Sequence, residues 1–280
     1  MERDEQRRRA RRLHELHRGP GALVLLTAWD AGSARVFEQA GCAAIGTTSA
    51  GIAYALGRPD GEALARAELL EATARIADVL AVPLTADLER GYGATAAEVG
   101  ETVAAVLDAG VVGVNLEDVA AAGGAGGALR PLGDQTARLE AARAAAEAAG
   151  VELFLNARTD VWWLRVGEPA QRLPLAIERA RAYLEAGADG IFAPGLTDPD
   201  EIAAFVAAVP APVNLLAARD SPSLEELERL GVRRLSVGSG PVRAALDLAG
   251  RIALEVLETG TSELMAAGTL TYREANELFR

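Results

Sequence analysis

Cysteine, histidine and aromatic residues are scarce in this chain. Its 280 residues include one Cys, two His and only 4% Phe, Trp and Tyr. The lone Cys42 excludes an internal disulfide and a cysteine-based zinc site. It lies in the apolar stretch Gly41-Cys42-Ala43-Ala44-Ile45, where a core position is expected. His14 and His17 both fall in the N-terminal segment, so a histidine-ligated zinc centre is not expected either. Positive charge is in deficit: 28 Lys and Arg against 40 Asp and Glu leave a net charge of -12 and a pI near 4.8. Such a surface repels phosphate backbones, so no nucleic-acid partner is expected. An anionic substrate would need a local cation. No apolar run is long enough to cross a bilayer, and the N-terminus has no signal-peptide core. A cytoplasmic protein with no membrane partner is the expectation.

What is present is apolar and small. Half of the residues are hydrophobic, and Ala and Gly are abundant, which excludes disorder and favours close helix-on-sheet packing. The chain repeats one unit of apolar strand, polar turn and Ala-rich helix. Strands are predicted at 22–28, 43–47, 82–86, 111–116, 152–156, 190–193, 212–216 and 234–237. Helical periodicity marks 63–80, 96–109, 135–149 and 169–186. A glycine recurs where each of several helices should end, at Gly41, Gly110, Gly150, Gly187 and Gly231, as a left-handed cap requires. Alternating strands and helices imply a parallel sheet, and eight such units in one chain imply a single (β/α)₈ TIM-type barrel over residues 1–280.

Three segments fall outside the repeat. Residues 1–18 form a basic lead-in helix, expected to cap the barrel base. Residues 120–133 are a Gly/Ala-rich loop after the fourth strand, suited to a lid. Residues 261–280 add a helical tail, expected to pack on the barrel or on a neighbouring subunit.

The chemistry of such a barrel sits at the C-terminal ends of its strands. Those ends carry Trp29-Asp30, Thr47-Thr48-Ser49, Asp87 with Glu89, Asn115 with Glu117-Asp118, and Asn156 with Arg158-Thr159-Asp160. Later units add Asn214, a candidate substrate-binding residue, and Ser236. Helix capping accounts for scattered Asp, Ser and Thr, but not for Glu and Arg gathered on the same rim. Asp87, Glu89 and Glu117 offer hard carboxylate oxygens of the kind Mg²⁺ prefers, with Mn²⁺ an acceptable substitute. Arg158 can grip a carboxylate through two hydrogen bonds. Thr48 and Ser49, on a turn leading to Gly51, can offer hydroxyls and N–H groups to a developing oxyanion. A metal, an arginine and such a turn together suit a reaction that passes through an enolate.

Several motifs in order give the sequence a family likeness. They are Gly46-Thr47-Thr48-Ser49-Ala50-Gly51 with Leu56-Gly57-Arg58-Pro59-Asp60-Gly61; Pro83-Leu84-Thr85-Ala86-Asp87 with Gly91-Tyr92-Gly93; Gly113-Val114-Asn115-Leu116-Glu117-Asp118; Asn156-Ala157-Arg158-Thr159-Asp160; and Gly187-Ala188-Asp189-Gly190-Ile191-Phe192. The chain thereby resembles the isocitrate lyase / phosphoenolpyruvate mutase superfamily. The resemblance implies Asp87 and Glu89 as Mg²⁺-site carboxylates with Glu117 as a further acidic member. It implies Asp60 as an active-site aspartate, Arg158 as the substrate-binding arginine, and Thr48, Ser49 and Ala50 as the turn that contacts the substrate. It also implies a homo-oligomer, dimer or tetramer, that exchanges a C-terminal helix.

The sequence departs from that family in its loop. Lyases of the family carry a Cys there, and the mutase and hydrolase branches Lys and Asn; the stretch 119–130 has none of these. Leu88-Glu89-Arg90 also replaces the family's usual Ala-Asp-Thr-type stretch, Glu for Asp keeping the charge with a longer reach, and Pro194-Gly195 follows the sixth strand. The leading expectation is a Mg²⁺-dependent lyase acting on a small 2-oxo or 2-hydroxy carboxylate such as oxaloacetate, by carbon–carbon cleavage or decarboxylation. A C–P mutase or hydrolase, and a non-catalytic oxo-acid binder, are the alternatives. The proton could come from a metal-bound water, Tyr92 or Asp118. The Trp162-Trp163 pair is expected to pack under the next helix.

Overall fold

The computed structural model describes residues 1–120, 127–268 and 270–280. After the lead-in helix α1 (Arg3–His17) come β1 (Leu23–Ala28), α2 (Ala31–Gln39), β2 (Ile45–Thr47), α3 (Ser49–Ala55), α4 (Arg66–Asp78), β3 (Leu84–Asp87) and α5 (Ala96–Asp108). The second half runs β4 (Gly113–Glu117), α6 (Leu132–Ala149), β5 (Phe154–Arg158), α7 (Pro169–Glu185), β6 (Gly190–Phe192), α8 (Pro199–Ala208), β7 (Val213–Leu216), α9 (Leu224–Arg229) and β8 (Arg234–Ser236). Helices α10 (Gly240–Thr259), α11 (Glu263–Ala266) and α12 (Tyr272–Glu277) complete the chain. The strands form one closed parallel barrel in sequence order, with β8 returning to β1 through Leu23↔Arg234 and Leu25↔Ser236. The predicted (β/α)₈ architecture is therefore the observed one, with strand limits shifted by one or two residues.

Local sequence sets the helix ends. Asp30 caps α2 in a capping box with Ser33, Thr95 does so for α5 with Glu98, and Pro169 opens α7. Gly150 ends α6 in the left-handed conformation at φ 66°. The other four glycines predicted to close helices, Gly41, Gly110, Gly187 and Gly231, also take positive φ.

Because strand side chains alternate, one set faces the helices and the other the barrel interior. In β4, Val114 and Leu116 are buried against the helices, leaving Gly113, Asn115 and Glu117 to the interior. The lower interior is apolar and closed by α1. Leu13 is fully buried, and a Cβ on Gly113 would meet its side chain. His17 stacks on Phe154 with ring centroids 3.8 Å apart. Gln6 donates to the carbonyls of Leu107 and Val111. The upper interior is polar, and it is there that the rim residues meet.

The tail spans residues 261–280. Its described residues form the two short helices α11 and α12, and the C-terminal end returns to the barrel. Arg35 Nε donates to the Leu278 carbonyl at 2.7 Å, and Leu278 is buried. Helix α10, by contrast, stands clear of the barrel: Val242 is its one buried residue among those described, while Leu246, Leu254, Val256 and Leu257 are exposed, Leu257 by 82%. Cys42, expected in the core, is half-buried at its edge, and burial pushes its thiol pKa up.

Candidate active site

A cavity of about 120 Å³ opens at the C-terminal mouth of the barrel. Strand register delivers its polar walls: Asp87 pairs with Asn115, Asn115 with Asn156, and Glu117 with Arg158. Thr48, Ser49 and Ala50 line it where β2 passes into α3. Thr48 is the N-cap of α3, its hydroxyl accepting from the Gly51 amide at 3.3 Å, so the amides of Ser49 and Ala50 belong to a first turn without helical acceptors. Gly51 is needed there, because a Cβ would lie 2.8 Å from the Trp29 Cβ.

Asp87 ends β3 and faces the cavity. Its Oδ2 accepts from Ser49 Oγ at 2.9 Å, its backbone N–H donates to Thr47 Oγ1 at 2.9 Å, and its buried Oδ1 has no partner among the described residues. Asp60 stands at the mouth, partly in solvent, 3.4 Å from Ser49 Oγ. Desolvation on its cavity side and the nearby Asp87 charge raise its pKa.

Arg158 is more tightly engaged than a bare clamp. Its Nε and Nη2 donate to Asp160 Oδ1 at 3.0 and 2.7 Å, and its Nη1 lies 3.0 Å from Glu117 Oε2. Burial works to lower its pKa, but Asp160 and Glu117 outweigh that and hold the guanidinium firmly charged. A guanidinium has five N–H groups, so two remain for a ligand. Burial, only partly offset by Arg158, drives the Glu117 pKa well above the ordinary carboxylate range.

Several expectations need correction. Asp87, Glu89 and Glu117 were expected to form one ligand set; among the described residues no three carboxylates, imidazoles or thiolates converge into a metal-holding cluster. The reason is Glu89. Its backbone takes φ 48°, and its buried carboxylate turns away from the cavity to accept from Tyr92 OH at 2.8 Å and the Glu62 amide at 2.7 Å. Burial, with the Asp87 charge second, pushes its pKa up to about 7. Tyr92, expected to be catalytic, is thereby committed to Glu89 and does not line the cavity. Asp118, a second candidate proton donor, is fully buried behind the site. Arg179 Nε (2.7 Å), Tyr183 OH (2.7 Å), Thr159 Oγ1 (2.8 Å) and the Asp160 amide (2.9 Å) all donate to it, so it is a structural knot.

Asn214, expected to touch substrate, lies just below the cavity wall, where its Oδ1 accepts from Ser236 Oγ at 3.3 Å. The tryptophan pair divides. Trp162 packs edge-on against Phe205 and donates to Glu201 at 3.0 Å, whereas Trp163 is 51% exposed and lines the cavity mouth. Of the loop after β4, residues 121–126 lie outside the described residues; its two ends are bridged by Val119↔Leu129.

The sequence reading missed Arg234. It opens β8, lines the cavity floor and is 1% exposed. Its signal was available: in β8, Arg234 and Ser236 alternate with Leu235, which places both polar side chains on one face.

Comparison with known proteins agrees with this geometry. A family model described as phosphoenolpyruvate phosphomutase matches residues 13–257. An uncharacterized protein of Mycobacterium tuberculosis is 35% identical over 248 residues, covering 87% of this chain and 88% of its own. An oxaloacetate decarboxylase of Bradyrhizobium is 31% identical over 226 residues, covering 78% of this chain and 74% of its own. The crystal structure of a putative lyase/mutase from Burkholderia cenocepacia superposes with a TM-score of 0.89 at 38% identity, covering 99% of this chain and 97% of that one. The fold and the cavity are those of a barrel enzyme with its site at the strand C-termini. The chain belongs to the phosphoenolpyruvate phosphomutase family, within the isocitrate lyase / phosphoenolpyruvate mutase superfamily of lyases and mutases.

Proposed function

We propose that the protein is a Mg²⁺-dependent lyase that breaks a carbon–carbon bond of a small 2-oxo or 2-hydroxy di- or tricarboxylate, with oxaloacetate as the simplest substrate. The observation that carries this reading is the cavity itself. In about 120 Å³ it brings together a free Asp87 carboxylate oxygen, the Ser49 hydroxyl and the guanidinium groups of Arg158 and Arg234. That volume suits an acid of a few heavy atoms. The oxaloacetate decarboxylase likeness supports the same substrate class.

The donor set fits Mg²⁺. Asp87 keeps a buried oxygen unpaired, and its charge adds to the raised pKa values of Glu89, Asp60 and Glu117, a repulsion that a divalent cation relieves. Asp87 would hold the ion, with Glu89 and Glu117 lending negative charge behind it. When bound, Mg²⁺ supplies Lewis acidity toward a substrate carbonyl oxygen and offsets the charge that develops on it.

The chain does the rest. The two free N–H groups of Arg158 hold a substrate carboxylate. The Ser49 and Ala50 amides face the oxygen that becomes negative as the bond breaks. In decarboxylation the electron pair of the broken bond passes into the enolate, carbon dioxide leaves, and a proton is then added at carbon. Asp60 is placed at the mouth to exchange that proton with solvent. Trp163 and Pro194 narrow the entrance and exclude water.

The test is an NMR time course of the protein with Mg²⁺ and oxaloacetate, methylisocitrate or phosphonopyruvate, each repeated with EDTA. Metal-dependent loss of oxaloacetate or methylisocitrate is the expected result. Turnover of phosphonopyruvate alone would move the reaction to a C–P bond, and no product from a folded protein would overturn the lyase reading.

The assembly belongs to the same proposal: a homo-oligomer in which a second copy covers α10. A 20-residue helix with an exposed Leu and Val face is a large apolar surface for a monomer.

A further inference from the structure

Three arginines, Arg138, Arg179 and Arg234, are buried among the described residues, and Arg158 is half-buried beside them. Arg158 is paired with Glu117 and Asp160. Arg179 is paired with Asp118. Arg138 donates through Nη1 and Nη2 to the carbonyls of Arg90, Gly93 and Ala94, with its Nε left without a hydrogen bond. Arg234 has no such partner. Its one hydrogen bond is a long one, from Nη2 to Asn115 Oδ1 at 3.3 Å, and its Nε and Nη1 have no partner among the described residues.

The neighbouring groups repeat the pattern. Asn214 sits beside Arg234 in the β7–β8 register. Its Oδ1 is used by Ser236, whereas its buried Nδ2 has no partner among the described residues. The acceptor side of the floor is already spent, because Asn115 Oδ1 takes both Arg234 Nη2 and Asn156 Nδ2. What remains unmatched is therefore almost all donor: two N–H positions of a guanidinium and one amide NH₂. Burying such groups unpaired is costly, and most costly for a charge. Desolvation indeed drives the Arg234 pKa down to about 9. A purely structural role at this position would be served as well or better by an apolar side chain of the same length. A cavity floor whose unmatched buried group is a guanidinium is complementary to a ligand that brings acceptors and negative charge.

We propose that Arg234 forms an anion-binding floor that receives a second carboxylate of the substrate, so that the site selects dicarboxylates over monocarboxylates. This rests on the carboxylate-substrate reading above and deepens it: Arg158 holds one end of the molecule near the mouth, and Arg234 takes the other at the floor. Because a guanidinium is planar and forked, the pair of unmatched N–H groups on Arg234 suits the two oxygens of a carboxylate.

The test compares succinate with butyrate, two unreactive acids that differ by one carboxylate. Their affinities are measured by calorimetry in the presence of Mg²⁺ for the parent, Arg234→Met and Arg234→Lys. The parent is expected to favour succinate by roughly 30-fold or more, about 2 kcal/mol. In R234M that preference should shrink to about threefold or less, with butyrate affinity little changed, while R234K retains part of it. R234M should melt at or above the parent temperature, because an unmatched charge has been removed. An R234M that keeps the succinate preference overturns the proposal. So does a parent without that preference, or an R234M that unfolds while R234K remains stable without restoring selectivity. Turnover is read separately. Arg234-dependent succinate selectivity without any lyase activity would sink the proposed reaction and leave the floor site standing. Turnover of oxaloacetate with unaltered selectivity in R234M would do the opposite.

Discussion

Glu117 and Arg158 stand side by side across the β4–β5 ladder, with Arg158 Nη1 3.0 Å from Glu117 Oε2, and Asp160 closes on the other edge of the same guanidinium. The arginine is thus fixed in plane before any ligand arrives, and fixed donors lose less freedom on binding than mobile ones. An ammonium cannot span the same two carboxylates. Arg158→Lys is expected to raise KM for the preferred acid by roughly 10- to 100-fold, the value of a charge-assisted pair of hydrogen bonds. Steady-state kinetics decide this, and equal KM values in mutant and parent would remove Arg158 from substrate binding.

Asp87 presents the free carboxylate of the cavity. Asp87→Ala is expected to lower Mg²⁺-dependent turnover by about 10²–10³-fold or more while the protein stays folded. Circular dichroism and kcat measured on the same preparation check both halves. Unchanged turnover would exclude Asp87 from the site.

Asp118 is held by four donors and lies behind the cavity rather than in it. Asp118→Asn leaves the Arg179 guanidinium buried without its counter-charge, so a loss of about 3–5 kcal/mol in folding stability is expected. Urea denaturation measures it. A variant as stable as the parent but inactive would return Asp118 to a chemical role.

His17 supplies the pH dependence. It is buried at the barrel base, where desolvation, with the Arg234 charge second, pushes its pKa down to about 3. It is neutral in the fold, with Nδ1–H donating to the Leu13 carbonyl, and takes up a proton near pH 6.5 when unfolded. The native state therefore binds fewer protons, and its stability is complete above about pH 6.5 and falls as the pH drops toward 3. By pH 5 the loss from this one group is about 2 kcal/mol. Glu89 and Asp160, with raised pKa values, act in the opposite sense but equally in parent and variant. His17→Gln should remove that slope, read as the difference in urea midpoints between pH 7 and pH 5. Parallel profiles would show that His17 does not titrate on unfolding.

Helix α10 carries the assembly prediction. Leu254→Glu combined with Leu257→Glu puts two charges on its exposed apolar face. Light scattering is expected to show the parent as a dimer or tetramer and the variant at a lower mass. A monomeric parent would exclude the proposed oligomer.

The eight-unit barrel was legible because strand period, Ala-rich helices and closing glycines all pointed the same way. Gly150 and Gly231 were read as helix ends from their position alone, and both take positive φ. The site was half legible. Asp87 and Arg158 line the cavity because they end β3 and β5, while Ser49 opens α3 and Asp60 follows it in the loop that returns to the mouth. Glu89 and Tyr92 lie on the same rim but are drawn off by Glu62, a partner 27 and 30 residues away that no local pattern announces. Arg234 escaped because chemistry was sought at the C-terminal strand ends, whereas Arg234 opens its strand and its long side chain still reaches the cavity.

The helix that stoppers the lower end of the barrel leaves the catalytic chamber, among the described residues, a doorway at the upper end. Whatever enters past Trp163 leaves by the same route, in the opposite direction. Substrate and the last departing product then contend for one passage and one set of arginines. That product should act as a competitive inhibitor, and clearance of the doorway, rather than bond breaking, becomes a natural limit on the pace of the cycle.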